Sequence, residues 1–315
     1  MAKKRPTREA IRQLSFARLQ DSRNEHKKKI GDERDARFNA YIKSLKAPKE
    51  IPGLMRSALN AEGHAKQLRL LAEGDSWFEY PLPWPDGDGV IVQLEELLGY
   101  SIANMAHHGD EARQMLALDQ RSEIIKRLSD DRVRFDALLF SGGGNDMLGN
   151  QMSLWFKHYM PQITPLEALF NEQAFGAILG IVEAAYREVI AIRDRFSPQT
   201  IIFFHGYDFP PVTGIGVCNT GPWLRPALDN LFKSIGFSVP DPNQQFILVK
   251  MMLQRFQAML KSIAADPNIS KVVIVETQGT LVANRDDWQN EIHPSTQGFV
   301  RIADRFRKAL LSTFP

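Results

Sequence analysis

Cysteine is almost absent from the chain: Cys218 is the single one in 315 residues. That excludes an internal disulfide and a multi-cysteine zinc site. Cys218 also sits in a Gly-rich stretch with no Lys or Arg within three positions, so nothing marks it as a reactive thiolate and it reads as structurally incidental. Long hydrophobic runs are missing too. No stretch of about 18 uncharged apolar residues occurs, so no segment reads as a membrane-spanning helix. Behind Lys3, Lys4 and Arg5 there is no apolar signal core, because Arg12 and Arg18 interrupt the stretch where one would lie, and the expected location is the cytoplasm. What remains is the composition of a soluble globular protein, 43% hydrophobic and 24% charged. The length suits one large α/β domain, or an ordinary domain with an extension.

Net charge is also small, +2, but the two parts of the chain differ. Residues 1–50 hold 15 Lys+Arg against 7 Asp+Glu, a surplus of +8, and the remainder holds 24 against 30, a deficit of −6. Residues 8–46 read as helical, with Phe38, Tyr41, Ile42 and Leu45 at the i, i+3, i+4, i+7 spacing of one apolar stripe. Pro48 and Pro52 then end the pattern. The expectation is a basic helical extension over 1–50. Such an arm either docks on its own acidic domain or serves an anionic partner such as nucleic acid, a membrane surface or an acidic protein. No aromatic stacking motif or nucleic-acid fold signature accompanies it.

From Gln67 onward short apolar runs alternate with helical patterns. Leu68–Ala72, Ser101–Met105, Ala137–Phe140, Ile201–Phe204 and Val272–Val275 are the candidate buried strands. The helix over 174–194 keeps Phe175, Ile178, Leu179, Val182, Tyr186, Val189 and Ile190 on one face, and the terminal helix does the same with Phe299, Ile302, Ala303, Phe306 and Leu310. This alternation predicts an α/β fold, a parallel sheet with helices on both faces. The stretch from about 206 to 244, rich in Gly and Pro and carrying Tyr207, Phe209, Trp223 and Phe232, exceeds a minimal core. Coming after a strand, it belongs at the carboxyl edge of the sheet as a lid or binding wall.

Four short segments at strand ends read together as one acyl-transfer site. Gly74-Asp75-Ser76-Trp77 comes after the first strand and presents a serine hydroxyl and its backbone N–H at the sheet edge. Asn104-Met105-Ala106-His107-His108-Gly109-Asp110 comes after the second, where Gly109 can bring a backbone N–H to a developing oxyanion. Ser141-Gly142-Gly143-Gly144-Asn145-Asp146 comes after the third. Its glycines suit close approach of backbone to ligand, Asn145 can donate its side-chain amide, and Asp146 can hold the loop locally. There is no Lys-Ser/Thr behind it, as a phosphate-cradling P-loop demands. Asn290-Glu291-Ile292-His293-Pro294 comes after the last strand and offers a histidine as general base. A metal site built from His107, His108, Asp110 and His205 has suitable ligand types but no metal-site spacing.

Gly74-Asp75-Ser76, Gly109, Gly143-Gly144-Asn145-Asp146 and His293-Pro294 resemble the four sequence blocks of the SGNH/GDSL hydrolases, in the same order and over about residues 66–315. The resemblance implies a flavodoxin-like three-layer αβα sandwich whose five-stranded parallel sheet has the order 2-1-3-4-5, and hydrolysis of esters without metal or other cofactor. It also implies Ser76 as nucleophile, His293 as base, and Ser76 N–H, Gly109 N–H and the Asn145 amide as oxyanion hole. The substrate class stays open among small-molecule, glycan and lipid acyl esters.

Two positions depart from the family pattern. Trp77 replaces the usual leucine, and Asn290 stands where the family carries its aspartate. An amide can fix the imidazole tautomer but supplies no negative charge. Either the site is a Ser-His dyad assisted by Asn290, or Asp287, Glu291 or Glu79 supplies the acid. Trp77, Tyr207 and Trp223 are the candidate substrate-binding aromatics. An acyltransferase using the same acyl-enzyme and a binding protein with a degenerate site are the alternative readings.

Overall fold

The structure is a computed structural model that describes residues 8–46, 67–80, 89–157, 165–216, 220–234 and 241–315. Cys218 and the Pro48/Pro52 boundary lie outside the described residues. The chain divides into two units, 1–47 and 48–315. In the first, Arg8–Lys46 forms one continuous 39-residue helix, α1.

The second unit is built on a parallel sheet. Its strands are β1 (Leu70–Gly74), β2 (Ala103–Asn104), β3 (Ala137–Ser141), β4 (Ile201–His205) and β5 (Val272–Val275), in the spatial order β2-β1-β3-β4-β5. β1 and β3 are buried along their whole length, which is why they are mostly apolar without alternation, with Glu73 and Ser141 buried near their carboxyl ends. β2 is shorter than the sequence suggests, yet its pairing continues past the strand: Met105 N donates to Ala72 O at 2.8 Å and His107 N to Gly74 O at 2.9 Å.

Helices α2 (Val90–Leu98) and α10 (Thr296–Thr313) pack together, while α7 (Glu172–Phe196) packs with α9 (Pro242–Ala264) and α4 (Leu118–Leu128). Phe175, Ile178, Val182, Tyr186, Val189 and Ile190 on α7 are buried, as are Phe299, Ile302, Ala303, Phe306 and Leu310 on α10. Each of the larger aliphatic and phenyl side chains among them contributes about 1.5–3 kcal/mol when fully withdrawn from water. The three-layer α/β architecture and its strand order are those expected. Between β4 and α9 the chain runs irregularly from Gly206 to Gly216 and then forms α8 (Arg225–Ser234), so the stretch read as one long loop contains a helix.

Register aligns the strand ends that matter. Gly74 pairs with Ser141 and His205 with Val275, so Asp75, Gly142, Gly206 and Glu276 all emerge at one carboxyl edge. Two further short helices line that edge, α3 (Ala112–Met115) after β2 and α5 (Gly144–Met147) after β3, and α6 (Met152–Trp155) follows the latter.

Candidate active site

Ser76 lies in the turn after β1, where Phe78 N and Glu79 N both donate to Asp75 O at 3.0 Å. Asp75 is fully enclosed and its carboxylate organises the turn. Oδ1 accepts from Trp77 N at 3.0 Å and from Ser141 Oγ at 2.9 Å, and Oδ2 accepts from Tyr207 OH at 2.5 Å. Burial lifts Asp75 to about 6, against the lowering effect of these donors. Tyr207 OH in turn accepts from Gly144 N at 3.0 Å. One carboxylate and one phenol therefore lock the segments after β1, β3 and β4 together.

The same geometry explains the glycine run. A Cβ on Gly144 would sit 3.1 Å from the Tyr207 ring, and Gly143, at φ +97°, would drive a Cβ to 3.0 Å from Val182. These glycines admit neighbouring side chains, and Gly144 also lines the cavity beside Ser76.

His293 sits in a loop that closes on itself. Its carbonyl accepts from Gln289 N at 3.1 Å and Asn290 N at 3.4 Å. Ser295 then caps α10 by accepting from Gly298 N, and Gly298 admits the loop because a Cβ there would collide with Asp287 O. This folding returns the Asn290 side chain to the imidazole. Asn290 Oδ1 accepts from Ile292 N at 3.1 Å and His293 N at 3.0 Å, so it is the oxygen and not the nitrogen that faces these donors. The same oxygen lies 3.0 Å from His293 Nδ1, which must therefore carry the proton. Nε2 is left as the acceptor, 2.7 Å from Ser76 Oγ. The Asn290 amide nitrogen donates to Tyr80 OH at 3.1 Å, and the Tyr80 ring lies 4.6 Å from the imidazole.

Burial holds His293 down to about 3, and His108 adds to the effect. The imidazole is thus neutral at physiological pH. Trp77 joins the two halves of the site: its indole N–H donates to Ile292 O at 2.9 Å, and its ring packs edge-on against Tyr207 at 5.1 Å and Trp288 at 6.0 Å. Trp223 stands at right angles to His293, 5.8 Å away.

The three carboxylates considered as substitute acids face elsewhere. Asp287 accepts from Val282 N at 2.7 Å and pairs with Arg301 at 2.8 Å. Glu79 accepts from Asn104 Nδ2 at 2.7 Å. Glu291 is fully buried and accepts from Gly214 N, Trp223 N, Leu224 N and Arg225 N at 2.7 to 3.4 Å, clamping the segment after β4 onto the histidine loop.

Asn145 shares a small cavity with Ser76, and its amide donates to Asp110 O at 2.9 Å. Gly109 is an exposed turn residue at φ +82° and is not part of that cavity's wall. Asp146 does not act locally as anticipated: its carboxylate reaches Ala112 N at 2.7 Å and Arg113 N at 3.4 Å, at the start of α3. Among the described residues no group of three His, Cys, Asp or Glu could hold a metal ion. His107 and His108 stack on each other at 4.4 Å, while His205 is sealed against Phe78 and Phe306.

Sequence reasoning missed Tyr80 and the bridging role of Tyr207. Tyr80 had one signal, its position four residues after Ser76 in a tight turn, which returns it to the nucleophile's side. Tyr207 had none, since its contact with Asp75 spans 132 residues.

No family model and no curated protein sequence matches the chain. Among solved structures it is similar to the lipase Lip_vut3 from a goat rumen metagenome, at 17% identity over 77% of this chain and 97% of that one, with a TM-score of 0.49. It is similar also to an extracellular lipase from Streptomyces rimosus (13%, 77% and 100%, TM-score 0.47) and to a carbohydrate esterase family 3 protein from Talaromyces cellulolyticus (14%, 78% and 98%, TM-score 0.43). Others are assigned to the GDSL-like lipases or SGNH hydrolases. These are likenesses of architecture, and the strand order of this chain carries its fold assignment independently of them. No helix among the described residues is long and apolar enough to cross a membrane.

Proposed function

We propose that the protein is a serine hydrolase of acyl esters, with Ser76 as nucleophile and His293 as general base. The observation that carries the reading is the relay Asn290 Oδ1, His293, Ser76 Oγ, with spacings of 3.0 and 2.7 Å at the carboxyl edge of the sheet. With Nδ1 protonated toward Asn290, the Nε2 lone pair takes the proton of Ser76 as Oγ attacks the ester carbonyl. The negative charge that develops on the carbonyl oxygen is met by Ser76 N–H and the second N–H of the Asn145 amide, which line one cavity, while the Gly109 N–H expected as a third donor lies outside that wall. Collapse breaks the bond to the alcohol, whose oxygen receives the proton from His293. Water then attacks the acyl-enzyme by the same route, and the acid and free serine are released.

Among the described residues no carboxylate is placed to offset the imidazolium formed in each half-reaction. Two features ease it: the hydrogen bond to Asn290 Oδ1, and the tilted Tyr80 ring 4.6 Å away. A Ser-His dyad with an amide orienter is the mechanism this arrangement supports. Ser76→Ala is expected to abolish turnover of p-nitrophenyl acetate while the far-UV spectrum stays native, and a folded variant retaining near-full kcat/KM refutes the assignment. Asn145→Ala is expected to lower kcat about a hundredfold with little change in KM.

A further inference from the structure

Around Ser76 the described residues line a partly open cavity of about 20 Å³. Its apolar wall comes from Leu148, Pro210, Leu253 and Ile292, with Trp77 and Tyr207 behind them. A space of that size admits one water-sized group, and a methyl is such a group. The wall is built in. Leu253 is 2% exposed on α9, Trp77 is pinned through its indole N–H to Ile292 O, and Tyr207 is held by Asp75 and Gly144. Ser76 and Asn145 line the same cavity, so an acyl group carried on Ser76 Oγ beside the Asn145 amide lies against this wall.

From this we infer that the site is selective for two-carbon acyl groups: acetyl esters are its substrates, and longer acyl chains are excluded by Leu148, Pro210, Leu253 and Ile292. The inference rests on the hydrolase reading above and deepens it. Against the walled side, the two additional methylenes of a butyryl chain meet filled space, the situation in which overpacking costs about one to two orders of magnitude in an equilibrium or a rate.

The test is the acyl chain-length series of p-nitrophenyl esters with the full chain, accompanied by fluorophosphonate labelling of Ser76. The expected result is a kcat/KM highest for acetate, about tenfold lower for butyrate and about a hundredfold or more lower for octanoate. Leu148→Ala, at a half-buried position that leaves the sheet untouched, is expected to raise the butyrate-to-acetate ratio about tenfold. Ser76 labelling together with equal or better hydrolysis of butyrate or octanoate overturns the acyl selectivity and leaves the hydrolase reading standing. Absence of both labelling and ester turnover overturns the hydrolase reading, and the selectivity falls with it.

Discussion

Replacing Asn290 with aspartate puts a carboxylate beside the imidazole, where an amide now stands. In the present arrangement Oδ1 serves Ile292 N, His293 N and His293 Nδ1, and Nδ2 donates to Tyr80 OH. A carboxylate keeps all three acceptor contacts, and the Tyr80 hydroxyl can turn to donate to the second oxygen, so no buried group loses its partner. The electrostatic effect is large by comparison. A charge about 4 Å from an imidazolium in surroundings of effective dielectric near 20 is worth about 4 kcal/mol. Spreading of the carboxylate charge over two oxygens and its own burial reduce the net gain to about half. The acid limb of kcat/KM against pH, set by His293 with its low starting value of about 3, then moves to higher pH by about one to two pH units. The assay is a kcat/KM profile for p-nitrophenyl acetate from about pH 3.5 to 8, over the range in which circular dichroism shows both proteins folded. Asp287→Asn, Glu291→Gln and Glu79→Gln are expected to leave the limb where it is, since their carboxylates face other partners. If Asn290→Asp leaves the limb unmoved while one of those three abolishes turnover, the dyad mechanism is wrong.

Two other consequences concern stability. Tyr207→Phe removes the hydroxyl that donates to Asp75 and accepts from Gly144, leaving one buried carboxylate oxygen and one buried N–H without that partner. A loss of about 3 kcal/mol in urea unfolding is expected, with a fall in kcat as the turn carrying Asn145 loosens, and a loss under about 1 kcal/mol would contradict the bridging role. Burial pushes His205 down to about 3, whereas in the unfolded chain it titrates near 6.5. The unfolded state therefore binds a proton that the native state refuses, and His205 costs stability progressively as pH falls from 6.5 toward 3, by about 1.4 kcal/mol per pH unit. In His205→Gln the fall of unfolding free energy between about pH 6 and 4 should be shallower by that amount, and identical slopes would show that His205 is protonated alike in both states.

Strands β3, β4 and β5 are legible in the sequence because parallel strands between helices appear as short apolar runs such as Ala137–Phe140, whereas β1 lies two residues beyond its expected start and carries Glu73. The faces of α7 and α10 are legible because their core residues repeat at helical spacing. β2 is shorter than the segment expected, two residues, although backbone hydrogen bonds to β1 run on through Met105 and His107. At the site, the order of the four segments brings Ser76, Asn145 and His293 into view, and Asn290 is visible as an anomaly. What sequence spacing does not show is the partnership of side chains distant along the chain. Asp75 with Tyr207, Tyr80 with Asn290 and Glu291 with the backbone after Gly214 are each separated by more than 60 residues. The purpose of the three glycines 142–144 is hidden for the same reason, since the groups that occupy their space come from Ala112, Val182 and Tyr207.

The most direct test of the account is covalent. The intact protein is treated with a fluorophosphonate probe at neutral pH, and the adduct is located by peptide mass spectrometry, beside His293→Ala treated identically. The account predicts one adduct per chain on Ser76, with labelling slowed by about a hundredfold or more when the base is removed. An unlabelled Ser76 in the folded wild-type protein, or labelling at an unchanged rate in His293→Ala, would contradict it.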